Sequence, residues 1–217
     1  ASYGAGIRRQ EVSSSANLSD GQNLFYNSTR YPSGGSNVQD FFTYSQVNVR
    51  LYNVDVLLGL RYNSNTLKAN FNLSNFSLKN IKTQNNSLVK SILLSFSPLK
   101  KTSVNVAYYS GFRNPNIDDM GKIFSKDGIN VVVPNTSLEP EYADNLETSI
   151  NFILGPLKMQ LQLFSTQISN AINREFGTLN GEDSIFYDEE LMRIQMKKNI
   201  ERASINGVSF AGDFIAN

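Results

Sequence analysis

Residues 145–164, NLETSINFILGPLKMQLQLF, decide the fold. In the first half Leu146, Thr148, Ile150, Phe152 and Leu154 alternate with Glu147, Ser149 and Asn151. In the second half Leu157, Met159, Leu161 and Leu163 alternate with Lys158, Gln160, Gln162 and Phe164. Successive side chains of a strand point to opposite faces, so this alternation describes strands with one apolar and one polar face. Only Gly155-Pro156 separates the halves, and that pair is a turn former. The stretch therefore predicts two antiparallel strands joined by a tight turn.

The same pattern recurs outward in both directions. In 54–62, Val54, Val56, Leu58, Leu60 and Tyr62 oppose Asp55, Leu57, Gly59 and Arg61. In 102–112, Val104, Val106, Tyr108 and Phe112 oppose Ser103, Asn105, Ala107 and Tyr109. Weaker copies lie at 2–8, 41–51, 87–97, 191–199 and 203–214. The pattern predicts an all-β chain of about nine strands, each roughly ten residues long. Ten residues at about 3.3 Å each, tilted near 45°, span roughly 23 Å. That matches the apolar band of a membrane-spanning barrel, about 25 Å tall, and exceeds the usual length of a soluble strand.

Connection lengths agree. Segments 9–40, 63–86, 113–143 and 168–190 are long, whereas 52–53, 97–101, 155–156 and 200–202 are short. Outer-membrane barrels alternate short inner turns with long outer loops in this way. The reading is thus a transmembrane antiparallel β-barrel, with membrane lipids against the apolar stripe. Nine strands do not close such a barrel alone, because an open edge in hydrocarbon leaves backbone groups unsatisfied. A share of a larger barrel is expected.

Composition narrows the chemistry. There is no Cys and no His. Within this chain that excludes a disulfide framework, a thiolate zinc site, an imidazole base and a Ser-His-Asp triad. No catalytic residue, metal site or resident cofactor is predicted. The formal net charge of +1 offers no electrostatic basis for nucleic-acid binding. No run of apolar residues is long enough for a transmembrane helix, and the start ASYGAGIRRQ lacks the apolar core of a signal peptide. The chain carries 27 Asn, concentrated with Ser and Gly in the long segments, as solvated loops require.

Individual positions carry further expectations. The polar faces hold Arg8, Arg50, Asp55, Arg61, Glu147, Lys158, Arg193 and Lys197, which would point into a lumen. Phe41, Phe42, Tyr44, Tyr62, Tyr108 and Tyr109 would form an interfacial aromatic girdle. Lys90 falls on the apolar face and Leu93 on the polar one, against the pattern.

The long central segment 110–142 reads SGFRNPNIDDMGKIFSKDGINVVVPNTSLEPEY. It resembles a stretch of TonB-dependent outer-membrane receptors, especially those of Bacteroidetes-type bacteria. The resemblance rests on Gly111, Phe112, Arg113, Pro115 and Asn116, then Asp118, Asp119, Gly121, Lys122 and Phe124, then Pro134, Asn135, Leu138, Pro140, Glu141 and Tyr142. Thr29-Arg30-Tyr31-Pro32, Gly59-Leu60-Arg61-Tyr62, Asn199-Ile200 and Gly207-Val208 are similar to flanking family segments. The family barrel has about 22 strands around a plug. The resemblance therefore implies that residues 1–217 are a partial barrel domain, without the plug and the barrel ends.

That resemblance implies nutrient import energised by TonB through the plug, in the outer membrane of a Gram-negative bacterium. Implied cargo is a small molecule or glycan: a ferric siderophore, haem, cobalamin or a glycan. A surface lipoprotein is an implied accessory. Alternatives are a passive or interchain-assembled pore, a receptor-fold subunit of a larger surface assembly, and a soluble glycan-binding β module. Arg113, Asp118, Asp119 and Glu141 are the charged members of the outer-loop motif. Two readings apply to them. In one, Arg113 pairs with a carboxylate and the Pro and Asn residues pin the loop. In the other, the loop touches cargo.

Overall fold

The computed structural model describes residues 1–19, 21–27, 31–71, 80–121, 123–125, 127–187 and 189–215. Thr29, Arg30 and Lys122 of the motifs lie outside these. In chain order the elements begin with β1 (Ser2–Val12), β2 (Ala16–Ser19), β3 (Leu24–Asn27), β4 (Ser36–Leu51) and β5 (Val54–Asn70). There follow β6 (Asn80–Leu99), β7 (Thr102–Arg113), the single-turn helix α1 (Ile117–Met120), β8 (Phe124–Ser125) and β9 (Asn130–Val132). The chain ends with β10 (Glu141–Leu154), β11 (Leu157–Phe176), β12 (Ser184–Tyr187) and β13 (Glu190–Phe214).

Eight strands form an antiparallel meander in the order β1-β4-β5-β6-β7-β10-β11-β13. Among the described residues β1 and β13 do not pair with each other, so the sheet is open. At one end lie the short turns 52–53, 100–101 and 155–156; at the other lie all the long connections. Gly155 sits in the left-handed region at φ 57°. Gly at the first central position, followed by Pro, suits a type II′ hairpin turn. Gly155→Ala is expected to destabilise the barrel by about 1–2 kcal/mol, because a Cβ strains that conformation. Equilibrium unfolding in detergent would measure it.

Register fixes the faces. Val47 pairs with Leu58, which pairs with Ile92, which pairs with Tyr108, which pairs with Leu146. Leu163 pairs with Val208, and Leu161 with Phe210. Of these, all but Ile92 and Tyr108 belong to an exposed apolar row that runs across the sheet. Such a contiguous apolar face is stable only against lipid.

The opposite face is polar and internally bonded. Arg8 donates to Asp40 from Nε at 3.0 Å and from Nη2 at 2.7 Å, and Asn65 Nδ2 donates to Asp40 at 2.7 Å. Ser95 Oγ donates to Asn105 at 2.7 Å, and Asn105 Nδ2 donates to Ser149 at 3.2 Å. Tyr109 donates to Glu147, which also accepts from Gln162 Nε2 at 3.2 Å. Side chains on the polar face thus couple β1, β4 and β5 in one run and β6, β7, β10 and β11 in another, in addition to the backbone ladder.

Several expectations need correction. Segments 191–199 and 203–214 are not two strands but one, β13, so the wall has eight strands. The ladder between β11 and β13 keeps one register along its length, from Leu157↔Phe214 through Ser169↔Arg202 and Ala171↔Ile200 to Phe176↔Gln195. Asn170 adopts φ 55° on β11, a left-handed conformation that Asn tolerates, and the strands continue past it. Large parts of 9–40, 63–86 and 168–190 are strand, since β4, β5, β6 and β11 run to 16, 17, 20 and 20 residues. These extensions lie beyond the apolar band, where water wets the sheet and alternation is no longer enforced.

The aromatic girdle divides. Phe41, Tyr62 and Tyr108 lie on the apolar face, but Phe42, Tyr44 and Tyr109 share the polar one. Phe42 and Tyr44 lie over glycines of β1. A Cβ on Gly6 would come within 2.6 Å of the Phe42 ring, and one on Gly4 within 2.8 Å of Tyr44. Gly207 receives Phe164 in the same way, at 2.3 Å. Lys90 does stand on the apolar face, with its Nζ 5.5 Å from the centre of the Tyr108 ring. Arg193 lies in the outer part of β13, over the Phe176 ring at 4.2 Å.

Candidate functional site at the outer mouth

The motif segment 114–140 joins β7 to β10 at the long-loop end. Arg113 closes β7, Glu141 opens β10, and the two are direct cross-strand partners. Both share the polar face with Tyr109, Glu147 and Asn145. Arg113 Nε donates to Glu141, and its Nη1 donates to Asp119 at 2.6 Å. The guanidinium is a planar fork, so one side chain can hold two carboxylates. Glu141 also accepts from the backbone N–H of Ile172 on β11.

Asp119 is placed by α1. Asn116 caps the helix, accepting from Asp119 N at 3.0 Å, while Asp119 Oδ2 accepts from Asn116 N at 3.2 Å. This reciprocal capping box fixes a helix too short to stand alone. Lys197 Nζ of β13 lies 3.9 Å from the other Asp119 oxygen. The Asp119 side chain is 9% exposed, so its charge is held among cations rather than water. Asp118 is half-buried on the same turn.

The returning half of the loop adds to the sheet. β9 pairs with β13 in parallel, Val131 opposite Ile194, and β8 pairs with β9. Val133 N donates to Gln195 O at 2.9 Å, and Asn135 Nδ2 to Lys197 O at 2.8 Å. Asn199 then pins Glu139 from both sides, accepting from its N–H and donating to its carbonyl, each at 2.9 Å.

Beneath these bonds lies the chain's buried core. Met120, Ile123, Val131, Val133 and Leu138 of the loop pack in one cluster with Leu67, Ala69, Ile81, Met192 and Ile194. Leu67 and Ala69 belong to the β5 face that carries Gly59 and Arg61, and Ile81 to the β6 face that carries Ser91. That is the polar face. The loop therefore folds inward, over the polar side of the wall, at its outer end.

The structure brings Arg113, Asp119 and Glu141 together and sets Asp118 beside them. The charges of this trio point at one another, which is the loop-pinning arrangement. Asn135 is one of the motif Asn residues expected to pin the loop; sequence reading missed Lys197 and Asn199 as anchors. It also missed Leu67, Ala69 and Ile81, whose signal was present: apolar residues on a face that is otherwise polar.

A second fixed turn lies further along the loop. The Asp127 carboxylate accepts from Ile129 N at 3.0 Å, Asn130 N at 2.8 Å and Asn130 Nδ2 at 2.8 Å. These donors, the Asn130 side chain foremost, hold its pKa down at about 2, below the ordinary 3.8. A depressed carboxylate stabilises the turn above its unfolded pKa and ceases to do so as pH falls through its folded one. Amide protection at Ile129 and Asn130 is expected to persist to pH 4 and to fade towards pH 2, about the value of the folded group. Hydrogen exchange would follow it.

Comparison with known proteins agrees with this architecture. Residues 2–215 match the family described as TonB dependent receptor-like, beta-barrel. A probable hemoglobin and hemoglobin-haptoglobin-binding protein of Haemophilus influenzae is 28% identical over 122 residues, covering 52% of this chain and 12% of its own. Among solved structures, a double mutant of the Serratia marcescens hemophore receptor HasR, in complex with its hemophore HasA and heme, superposes with a TM-score of 0.70 at 12% identity. That match covers 99% of this chain and 39% of the receptor. The copper transporter OprC superposes with a TM-score of 0.72 at 12% identity, covering 99% of this chain and 32% of its own. The chain thus spans well under half of each of these proteins, and it belongs to the TonB-dependent receptor-like β-barrel family, whose members are Gram-negative outer-membrane proteins.

Proposed function

We propose that these residues are a portion of the wall of an outer-membrane importer that takes up a scarce nutrient with energy delivered by TonB. The family match over residues 2–215 carries this reading. The polar, hydrogen-bonded inner face supports it, since a plugged lumen needs a wettable wall. The hemoglobin-binding relative and the hemophore-receptor structure favour an iron-bearing cargo, haem or a ferric siderophore. If the cargo is haem, no imidazole ligand comes from these residues, because they include no His. TonB coupling through a plug, glycan or cobalamin as cargo, and an accessory surface lipoprotein belong to the same proposal.

The test is uptake of radiolabelled iron, as haem and as ferric siderophore, in cells with and without the gene. Deletion should abolish uptake of one of them, and collapsing the proton-motive force should do the same. Uptake that survives collapse would mean a passive pore. No loss with any iron source would overturn the iron-bearing cargo.

A further inference from the structure

We propose that the upper edge of β6 receives an extended acidic segment of a partner protein outside the cell, as one more strand of the sheet. The inference rests on the outer-membrane reading. The β6–β7 ladder stops at Ser91↔Tyr109, although β5 and β6 stay paired as far as Asn70↔Asn80. At the next position a side chain replaces the backbone. Ser110 Oγ accepts from Lys90 N at 2.9 Å and donates to Lys90 O at 3.3 Å. The backbone groups of Lys90 therefore point towards β7, and so do those of every second residue above it, Leu88, Asn86, Gln84 and Lys82. β7 ends at Arg113, which in the same register would stand opposite Ser87. Asn80–Asn86 rises beyond that end and presents an edge roughly 23 Å long. Among the described residues only the Tyr142 hydroxyl reaches this edge, donating to Asn86 O at 3.4 Å. The N–H and C=O of Lys82 and Gln84, and the N–H of Asn86, have no partner on that side.

A row of unpaired backbone groups is a template for strand addition, in which the backbone supplies affinity and the side chains choose the partner. This template is fixed from within. Ile81 packs in the buried cluster of the central loop, and Thr83 Oγ1 donates to Met120 Sδ at 3.8 Å. The edge therefore needs no ordering when a strand arrives. The outward side chains select the occupant. Lys82 stands directly opposite Lys68, and both are exposed. Like charges so placed repel. Around them this face of upper β5 and β6 carries amides and hydroxyls and no acid. Among the described residues neither lysine makes an ion pair. An added strand with a carboxylate beside Lys82 turns the repulsion into attraction. Antiparallel addition puts the residue facing Asn86 first and the acid facing Lys82 last. A second copy does not fit the edge. Strands tilted near 45° and related by a twofold axis along the membrane normal cross at near right angles.

The experiment uses the full-length receptor in detergent, checked for a heat-dependent gel shift that reports the folded barrel. The probe is a fluorescent peptide alternating Thr and Val and ending in Glu at the position that faces Lys82. Anisotropy reads its binding, and bound peptide should slow hydrogen exchange at the Gln84 and Asn86 amides. N-methylation of the peptide residue facing Gln84 should abolish binding. N-methylation of its neighbour, whose N–H points away from β6, should leave binding intact. Gln84→Pro removes an edge donor and spares the β5 ladder. It should weaken binding about tenfold, and so should Lys82→Glu. A peptide with Lys in place of its Glu should bind Lys82→Glu better than it binds the wild type. Equal effects of the two N-methyl placements, or equal binding of the Glu and Lys peptides by the wild type, would overturn the proposal. No binding, with the Gln84 amide already protected, would mean that another segment of the receptor covers the edge, and would overturn it too. So would a dimer that excludes the peptide. A protein that is soluble without detergent and shows no gel shift would instead refute the outer-membrane reading.

Discussion

Arg113→Ala should release the central loop from the barrel wall. The substitution leaves Asp119 and Glu141, both largely buried, facing each other without the cation that holds them together. Each charge-assisted hydrogen bond is worth about 1.5–3 kcal/mol when its partner is left buried. The Arg113 side chain is 44% exposed, so solvent screens part of that. A net loss of about 2–3 kcal/mol is expected, which is enough to let 114–140 open locally. Protease added outside intact cells should cut the loop of the variant faster than that of the wild type. Arg113→Lys should recover only part of the protection, because an ammonium is a point charge and does not present a fork. Unchanged protection in Arg113→Ala would show that the apolar cluster alone holds the loop.

Leu58→Arg should impair assembly of the barrel itself. Leu58 faces outward between Val47 and Ile92. It stands four residues from the turn-side end of β5, roughly 9 Å up a tilted strand, inside a band about 25 Å tall. A charge at that depth costs about 2–4 kcal/mol. Folding into bilayers, read by the fraction of heat-modifiable protein, should fall accordingly. Leu57→Arg, one residue away on the polar face, should cost much less. Equal effects at the two positions would mean that the faces are wrongly assigned.

The contrast between those neighbours shows what was legible. β10 and β11 were readable because lipid and water press on their two faces, so every second residue is constrained. The upper halves of β5 and β6 were not, because water bathes both faces until the central loop covers the inner one. Leu67, Ala69 and Ile81 make sense only once that loop is in place. β13 looked like two strands because the stretch 199–203, NIERA, interrupts the apolar alternation, although one strand runs through it. At the site, the Arg113 pairing follows from a cation and carboxylates in one motif. Lys197 and Asn199 lie some 60 residues or more downstream, joined to the loop only by the sheet. Nothing local announces such contacts. The aromatic positions failed for a different reason: phase, not residue type, decides whether Tyr or Phe meets lipid or lumen.

The inward-folded loop has a mechanical consequence. Its apolar cluster touches β5 and β6 on one side and β13 on the other. β5 and β13 are five steps apart in the sheet, or about 24 Å along its width. Where such a wall bends round a pore, a segment fastened at both places is a chord across the arc. Widening the rim on this side would stretch the chord and tear the cluster; narrowing it would crush a packed interior. This sector of the mouth is braced at one radius, so any change of aperture must come from the rest of the circumference.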